Sequence, residues 1–192
     1  WIMKLKKYTF IRAFLNINRI LWLIRVKLFN KSIPLKTLPS YEHRHILKIN
    51  PFPEKIIDVG FNKGQFSSLV LLFKKKASIY AFDPNLGETI LIANKLEKFY
   101  PQRFVFFNFA LGDVIESKRL NLAVSSDNNS FLKPTYENEN LYSKAMLTGM
   151  KNKVLIKTLS SVNFKLDSSN NLLKIDVQGY ELKVLKGISK KL

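Results

Sequence analysis

The sequence predicts an α/β protein built on a mostly parallel sheet with flanking helices. Between residues 55 and 109, short apolar strands alternate with helical stretches, a pattern typical of βαβ units. The first strand ends in a glycine-containing turn and the second ends in an aspartate, as at the carboxyl edge of such a sheet. With 192 residues and 46% hydrophobic side chains, the chain is long enough for one domain with a substantial core.

The first half of the sheet is predicted from three apolar runs. They give strands at residues 55–60, 77–83 and 103–109. Helices are expected between them at residues 65–76 and 88–100. The lysines at positions 74–76 suit a helix C-terminus, and Pro101 stops the second helix.

Beyond Gly112 the regular alternation lapses. The expected segments are strands at 118–124 and 153–158, polar loops at 125–129 and 136–140, a strand at 172–176, a turn at Gly179 and a helix at 180–185.

The N-terminal residues 1–45 are expected to form a separate basic helical segment. Residues 1–36 hold nine Lys and Arg residues and no acidic residue, which is half of the net charge of +18. We expect a helix at residues 1–29 that packs on the domain or lies at an anionic membrane surface, and a second helix at 41–49. The longest uncharged run, residues 64–73, is too short to span a bilayer, so a cytoplasmic protein with peripheral membrane contact is expected.

The composition limits metal chemistry. The chain has no cysteine, which excludes disulfides and cysteine-bound zinc, and its two histidines are His43 and His45. We expect both histidines to be surface or packing residues and predict no metal site.

Four features predict a cofactor site at the carboxyl edge of the sheet. The turn Asp58-Val-Gly-Phe-Asn-Lys-Gly64 carries Gly60 and Gly64, which let backbone approach a ligand, and Asp58 can accept a hydrogen bond from an ammonium group. Asp83 can hold both hydroxyls of a ribose. Ala110 and Leu111 offer a surface for an adenine, and Asp176 reaches the same rim.

The turn also discriminates between cofactors. The dinucleotide fingerprint G-x-G-x-x-G needs a middle glycine beside the pyrophosphate, and here that position is Asn62. S-adenosylmethionine has no pyrophosphate, so Asn62 is compatible with it and unfavourable for NAD.

Several of these segments resemble the successive signatures of the FkbM methyltransferase family, in order. They are Asp58-Val-Gly-Phe-Asn-Lys-Gly-Gln-Phe66, Ala81-Phe-Asp-Pro84, Ala110-Leu-Gly-Asp113, Ser130-Phe-Leu132 and the stretches 154–159 and 173–187, the last containing Lys174-Ile-Asp-Val-Gln-Gly-Tyr-Glu181. The resemblance covers about residues 46–192. Three positions depart from the family pattern: Asp83 stands where Glu is common, Gln178 where Glu is frequent and Ser160 where Asp is usual.

The resemblance implies a Rossmann-like class I methyltransferase fold, S-adenosylmethionine as the methyl donor and O-methylation of a sugar, polysaccharide or secondary metabolite. It would place Asp58, Gly60, Asn62, Gly64, Asp83, Ala110 and Leu111 around the cofactor. Asp176 and then Glu181 are the expected catalytic carboxylates. That fold has seven strands, so we expect the last strands to be missing and the chain to be C-terminally incomplete.

Two other functions compete with this interpretation. The high positive charge suggests an RNA or other nucleic-acid methyltransferase, but enzymes that methylate base amino groups usually carry Asn/Asp-Pro-Pro-aromatic where this chain has Asp176-Val-Gln-Gly. Nucleic acid is therefore an unexpected partner, and a small molecule or glycan is expected. A non-catalytic, basic, membrane-associated module is the remaining alternative, and it would not bind S-adenosylmethionine.

Overall fold

A parallel four-stranded sheet lies at the centre of the computed structural model, which describes residues 42–132, 147–164, 166 and 170–188. Its strands are β1 (Lys55–Val59), β2 (Ser78–Phe82), β3 (Phe104–Phe107) and β7 (Asn171–Ile175), in the order β3-β2-β1-β7. In the register, Asp58 lies opposite Ala81 on one side and Lys174 on the other. The predicted α/β class and the four predicted strands are confirmed.

Three α-helices accompany the described strands: α1 (Gln65–Phe73), α2 (Glu88–Phe99) and α3 (Glu181–Ile188). The prediction that the first helix continues to residue 76 is wrong. The guanidinium of Arg103 donates to the carbonyl oxygens of Leu71, Lys74 and Ala77, and this holds the chain in a turn directly after Phe73. The predicted helix at 41–49 is a 3₁₀ helix, Glu42–Lys48.

A second sheet of three strands was not predicted as a unit. It contains β4 (Ala110–Leu111), β5 (Glu116–Ala123) and β6 (Leu147–Lys157), in the order β4-β6-β5. Strand β6 runs parallel to β4 and antiparallel to β5, with an irregularity between Asn121 and Ala123. The expected strand at 118–124 overlaps most of β5, the one at 153–158 overlaps only the C-terminal part of β6, and each was predicted to end one residue too late.

The core consists of two apolar clusters, one on each face of the central sheet. Neighbouring residues of β1 point to opposite faces, so Ile56 packs with α1 and α2, whereas Ile57 packs with α3 and the second sheet. This layering brings the second sheet beside the carboxyl edge of β1 and β2.

Several expectations fall outside the described residues. These are the helix at 1–29, the loop at 136–140 and any strand beyond residue 188. Among the helices that the structure does describe, none is both long and apolar enough to cross a membrane.

Candidate active site

A cavity of about 260 Å³ opens at the carboxyl edge of the central sheet. The turn after β1, the end of β2, strand β4 and the turn after β7 all contribute to its lining. Of the predicted cofactor residues, those that line it are Gly60, Asn62, Asp83, Ala110 and Leu111. Asp58 and Gly64 lie outside the lining.

The turn after β1 is shaped by left-handed backbone. Gly60 has φ of 84°, and a side-chain carbon added there would collide with the backbone carbonyl oxygen of Asp176. Gly60 is therefore required because the end of β7 approaches this turn closely. Gly64 (φ 68°) adopts the left-handed conformation that starts α1.

Asp83 lies in the cavity wall with a side chain held in a fixed orientation. One carboxylate oxygen accepts the backbone N–H of Asn62 at 2.7 Å and the other accepts that of Asn85 at 2.8 Å. Burial of this side chain, which is only 3% exposed, raises its pKa, although these two hydrogen bonds act in the opposite direction. Each oxygen accepts one of these bonds and, with its second lone pair, can accept another from a ligand hydroxyl.

Asp58 is buried beneath the cavity and pairs with protein groups. It accepts a hydrogen bond from the hydroxyl of Ser67 at 2.6 Å and forms an ion pair of 3.0 Å with Lys174. The Lys174 ammonium also donates to the carbonyl oxygen of Gly60 at 2.6 Å. The ammonium group that pairs with Asp58 therefore belongs to a protein side chain, Lys174.

Lys174 is a cavity residue that the sequence interpretation did not assign to the cofactor site. It lines the cavity, and its side chain is 17% exposed. A lysine within an otherwise apolar strand, opposite an aspartate in the neighbouring strand, was the available signal.

An apolar wall faces the turn after β1. Ala110 and Leu111 are buried in β4, and Leu120, Phe131 and Tyr180 complete this wall. The rings of Phe131 and Tyr180 pack with centroids 4.8 Å apart. Ala110 and Leu111, which were predicted to contact an adenine, therefore lie in an apolar part of the cavity lining.

The two predicted catalytic carboxylates occupy different environments. Asp176 is exposed at the cavity rim and accepts a hydrogen bond from the Gln178 amide at 3.2 Å. Glu181 lies outside the lining, and its Oε1 accepts the backbone N–H groups of Gly179 at 3.1 Å and Val177 at 3.3 Å. Partial burial disfavours the charge of Glu181, but hydrogen bonds from backbone N–H groups, first its own and then those of Gly179 and Val177, lower its pKa.

Residues 125–129 bridge the second sheet to the first across the cavity. Asp127 accepts a hydrogen bond from the Asn62 side chain and pairs with Lys63 at 3.2 Å, and Asn129 donates to Asn85 at 2.7 Å. Burial works against the charge of Asp127, but the hydrogen bonds from Asn62 and Lys63 lower its pKa. This bridging segment was predicted only as a polar loop, and its composition gave no sign of its partners.

His43 also lines the cavity, from the 3₁₀ helix before β1. Its ring meets Phe66 edge to face at a centroid distance of 5.8 Å. Its Nδ1 atom is buried and has no hydrogen-bond partner among the described residues. The packing role predicted for His43 accounts for the contact with Phe66 but not for the unpaired nitrogen. His45, for which a surface or packing role was also predicted, is exposed.

Comparison with known proteins gives one finding. A family model described as the methyltransferase FkbM domain matches residues 58–192, a range that begins near the end of β1 and includes Asp83, Asp176 and the second sheet. No curated protein and no solved structure matches the chain.

Proposed function

Since the chain belongs to the FkbM methyltransferase family, we propose that it transfers the methyl group of S-adenosylmethionine to a hydroxyl group of a sugar, polysaccharide or secondary metabolite. The observation that carries the proposal is the buried carboxylate of Asp83 in a cavity that is also lined by the neighbouring turn after β1, where Gly60 presents no side chain. This pairing suits a ligand whose ribose lies at Asp83 and whose adjoining part contacts the backbone of the turn.

The residues of the cavity fit this cofactor. Asp83 would accept hydrogen bonds from the ribose hydroxyls, and Ala110 and Leu111 would contact the adenine. The backbone at Gly60 and Asn62 would lie along the methionine portion. Bound here, S-adenosylmethionine would supply a methyl group activated by its sulfonium.

Asp58 and Gly64 support the site without lining it. Asp58 holds the Lys174 ammonium, and Lys174 in turn holds the carbonyl of Gly60, so Asp58 fixes the turn from below. Gly64 is the N-cap residue of α1 and has a left-handed backbone conformation there. We propose that both residues act by positioning.

At the acceptor end we propose that Asp176 orients the hydroxyl group. Its exposed carboxylate can accept a hydrogen bond, and an oriented oxygen reacts faster because transfer requires in-line approach. Glu181 would then hold the turn that carries Asp176, since its carboxylate is engaged by the backbone N–H groups of that turn.

Calorimetry with S-adenosylmethionine and S-adenosylhomocysteine tests the proposal. We expect wild-type protein to bind both, and Asp83→Ala to lose about 1.5–3 kcal/mol of binding free energy, or roughly ten- to 150-fold in Kd. Glu116→Ala is the matched control, because Glu116 is an exposed carboxylate that does not line the cavity. Absence of binding by the wild type would reject the proposed cofactor, and equal affinities of wild type and Asp83→Ala would reject the ribose assignment.

A further inference from the structure

The second sheet has an outer face that carries positive charge without acidic residues. Successive side chains of a strand point to opposite faces. Leu120, Val154 and Ile156 are buried, so the residues that alternate with them along β5 and β6 point outward. These outward residues are Ser117, Arg119, Asn121, Lys151, Lys153, Leu155 and Lys157.

Arg119 and Lys153 form the centre of this outer face, because they lie directly opposite each other in the antiparallel register. Directly opposite side chains have Cβ atoms about 4.5–5.5 Å apart, and like charges at such positions destabilise a sheet. Both residues are exposed, as is Lys151, and none of the three forms an ion pair within the part of the chain that the structure describes. An anionic partner would neutralise this repulsion.

The net charge of +18 does not by itself produce such a face. Elsewhere in the described structure, acidic residues accompany lysines. Lys63 pairs with Asp127 at 3.2 Å, and Lys183 pairs with Asp113 at 2.7 Å. The outer face of β5 and β6 has no acidic residue to play this part, so its charge is directed at the surroundings.

Exposed apolar side chains on the same two strands indicate which kind of anion fits. Leu155, opposite Ser117 on the outer face, is 42% exposed, and Val124 and Met150 at the far end of the strand pair are more exposed still. Cations beside exposed apolar groups suit a membrane interface, where the charges meet lipid headgroups. Single-stranded nucleic acid is usually bound by stacking its bases on aromatic side chains, and the outward residues include none.

We propose that the outer face of the second sheet binds the surface of an anionic lipid bilayer through Arg119, Lys151 and Lys153. The cavity lies on the other side of this sheet, since Leu120 lines it from the inner face. Membrane binding and cofactor binding are therefore separate properties, and the first can be tested without the second.

Flotation of the whole protein with lipid vesicles tests the proposal. At low salt we expect binding to vesicles of equal parts phosphatidylcholine and phosphatidylserine, little binding to phosphatidylcholine alone, and release at high salt. Arg119→Gln combined with Lys153→Gln should weaken binding about 30-fold, or about 1 kcal/mol for each charge removed. The matched control, Lys75→Gln with Lys76→Gln, removes two exposed charges outside this sheet and should weaken binding less than about threefold.

Urea unfolding separates lost binding from lost folding. Because Arg119→Gln with Lys153→Gln removes a like-charge pair, its free energy of unfolding should equal or exceed that of the wild type. Lys151→Gln, which lies outside that pair, gives a second measurement, and we expect it to weaken vesicle binding about fivefold.

Other outcomes overturn the proposal. Absence of wild-type binding to the anionic vesicles would reject it. Equal weakening by the two double variants would assign binding to the overall charge of the chain, and unchanged binding by Arg119→Gln with Lys153→Gln would place the membrane contact on another surface. Binding of RNA or DNA oligonucleotides through these residues, without vesicle binding, would identify nucleic acid as the partner instead.

Discussion

At Asp83, two opposing physical effects act on one carboxylate. Burial disfavours its charge and raises its pKa, and the negative charge of Asp58 acts in the same direction. The N–H groups of Asn85 and Asn62 stabilise the charge but do not fully compensate for the effect of burial on the pKa. The residue therefore holds a well-oriented acceptor pair whose charge is lost at a higher pH than that of an exposed aspartate.

This gives a pH dependence of cofactor binding. Ribose hydroxyls donate to the charged carboxylate, so affinity should be complete at neutral pH and fall as the pH drops through the raised pKa of Asp83. The loss should begin above the range near pH 4 where an ordinary aspartate titrates. Calorimetry with S-adenosylhomocysteine between about pH 7 and 4.5 measures it. Asp83→Asn should bind more weakly and lose this part of the slope, and an unchanged slope in that variant would assign the effect to another group.

Among the secondary-structure elements, the contact between the turn after β1 and the end of β7 fixes the site. Both Gly60 and Gly87 have positive φ, of 84° and 65°, but only the position of Gly60 is crowded by backbone. The comparison of these two glycines separates the cost of conformation from the cost of close approach.

Gly60→Ala should therefore be much more destabilising than Gly87→Ala. Both variants place an alanine at a positive φ, which costs about 1–3 kcal/mol. Gly60→Ala must also move the chain away from Asp176, and we expect at least about 2 kcal/mol more. Urea unfolding followed by circular dichroism compares the two free energies of unfolding. Similar losses in both variants would mean that the end of β7 does not press on this turn.

The C-terminal end of α1 depends on Arg103. Its guanidinium donates to Ala77 at 2.9 Å, to Lys74 at 2.7 Å and to Leu71 at 3.1 Å, which satisfies carbonyls that a helix end leaves free. A lysine cannot reproduce this fork, so Arg103→Lys should lower the free energy of unfolding by about 1–3 kcal/mol. Lys75→Ala, at an exposed neighbouring position, should change it by less than about 0.5 kcal/mol in the same urea titration. Arg103→Lys with wild-type stability would contradict the proposed role.

These elements show why the sequence predicts one sheet and not the other. Strands β1, β2, β3 and β7 are apolar runs between turn residues, and their pattern is local. The second sheet depends on pairing between strands that are far apart in the sequence. In addition, β4 has only two residues, which are too few for a recognisable pattern. The early end of α1 has the same origin, because Arg103 is distant from Phe73 in sequence.

The residues of the site likewise comprise some that local sequence patterns predict and some that only the tertiary structure reveals. Gly60 and Asp83 end two of the predicted strands and Asn62 follows the first, so their place at one edge of the sheet was predictable. His43 lines the cavity from the 3₁₀ helix before β1 and Asp127 from the 3₁₀ helix Ser126–Asn128 after β5, and only tertiary structure brings them there. Asp58 was predicted to accept a hydrogen bond from an ammonium group, and in the structure it pairs with the ammonium group of Lys174.

Over the whole molecule, the charge of the cavity differs in sign from that of the chain. The chain carries +18, yet among the described residues the cavity and the layer beneath it hold four carboxylates, Asp58, Asp83, Asp127 and Asp176, against the ammonium groups of Lys63 and Lys174. A cationic ligand is therefore attracted by near, partly buried groups and repelled by many distant surface groups. Salt screens the distant charges more strongly than the buried ones.

Added salt should therefore favour S-adenosylmethionine over S-adenosylhomocysteine. At neutral pH the former has a net charge of about +1 and the latter about zero, so only the former is repelled by the chain as a whole. We expect its affinity, relative to that of S-adenosylhomocysteine, to rise about two- to fivefold between roughly 10 and 150 mM NaCl, as measured by calorimetry. Replacing the exposed Lys75 and Lys76 by glutamate, outside the cavity lining, should reduce this salt effect. A relative affinity that falls with salt would show instead that the cavity carboxylates dominate the electrostatics of binding.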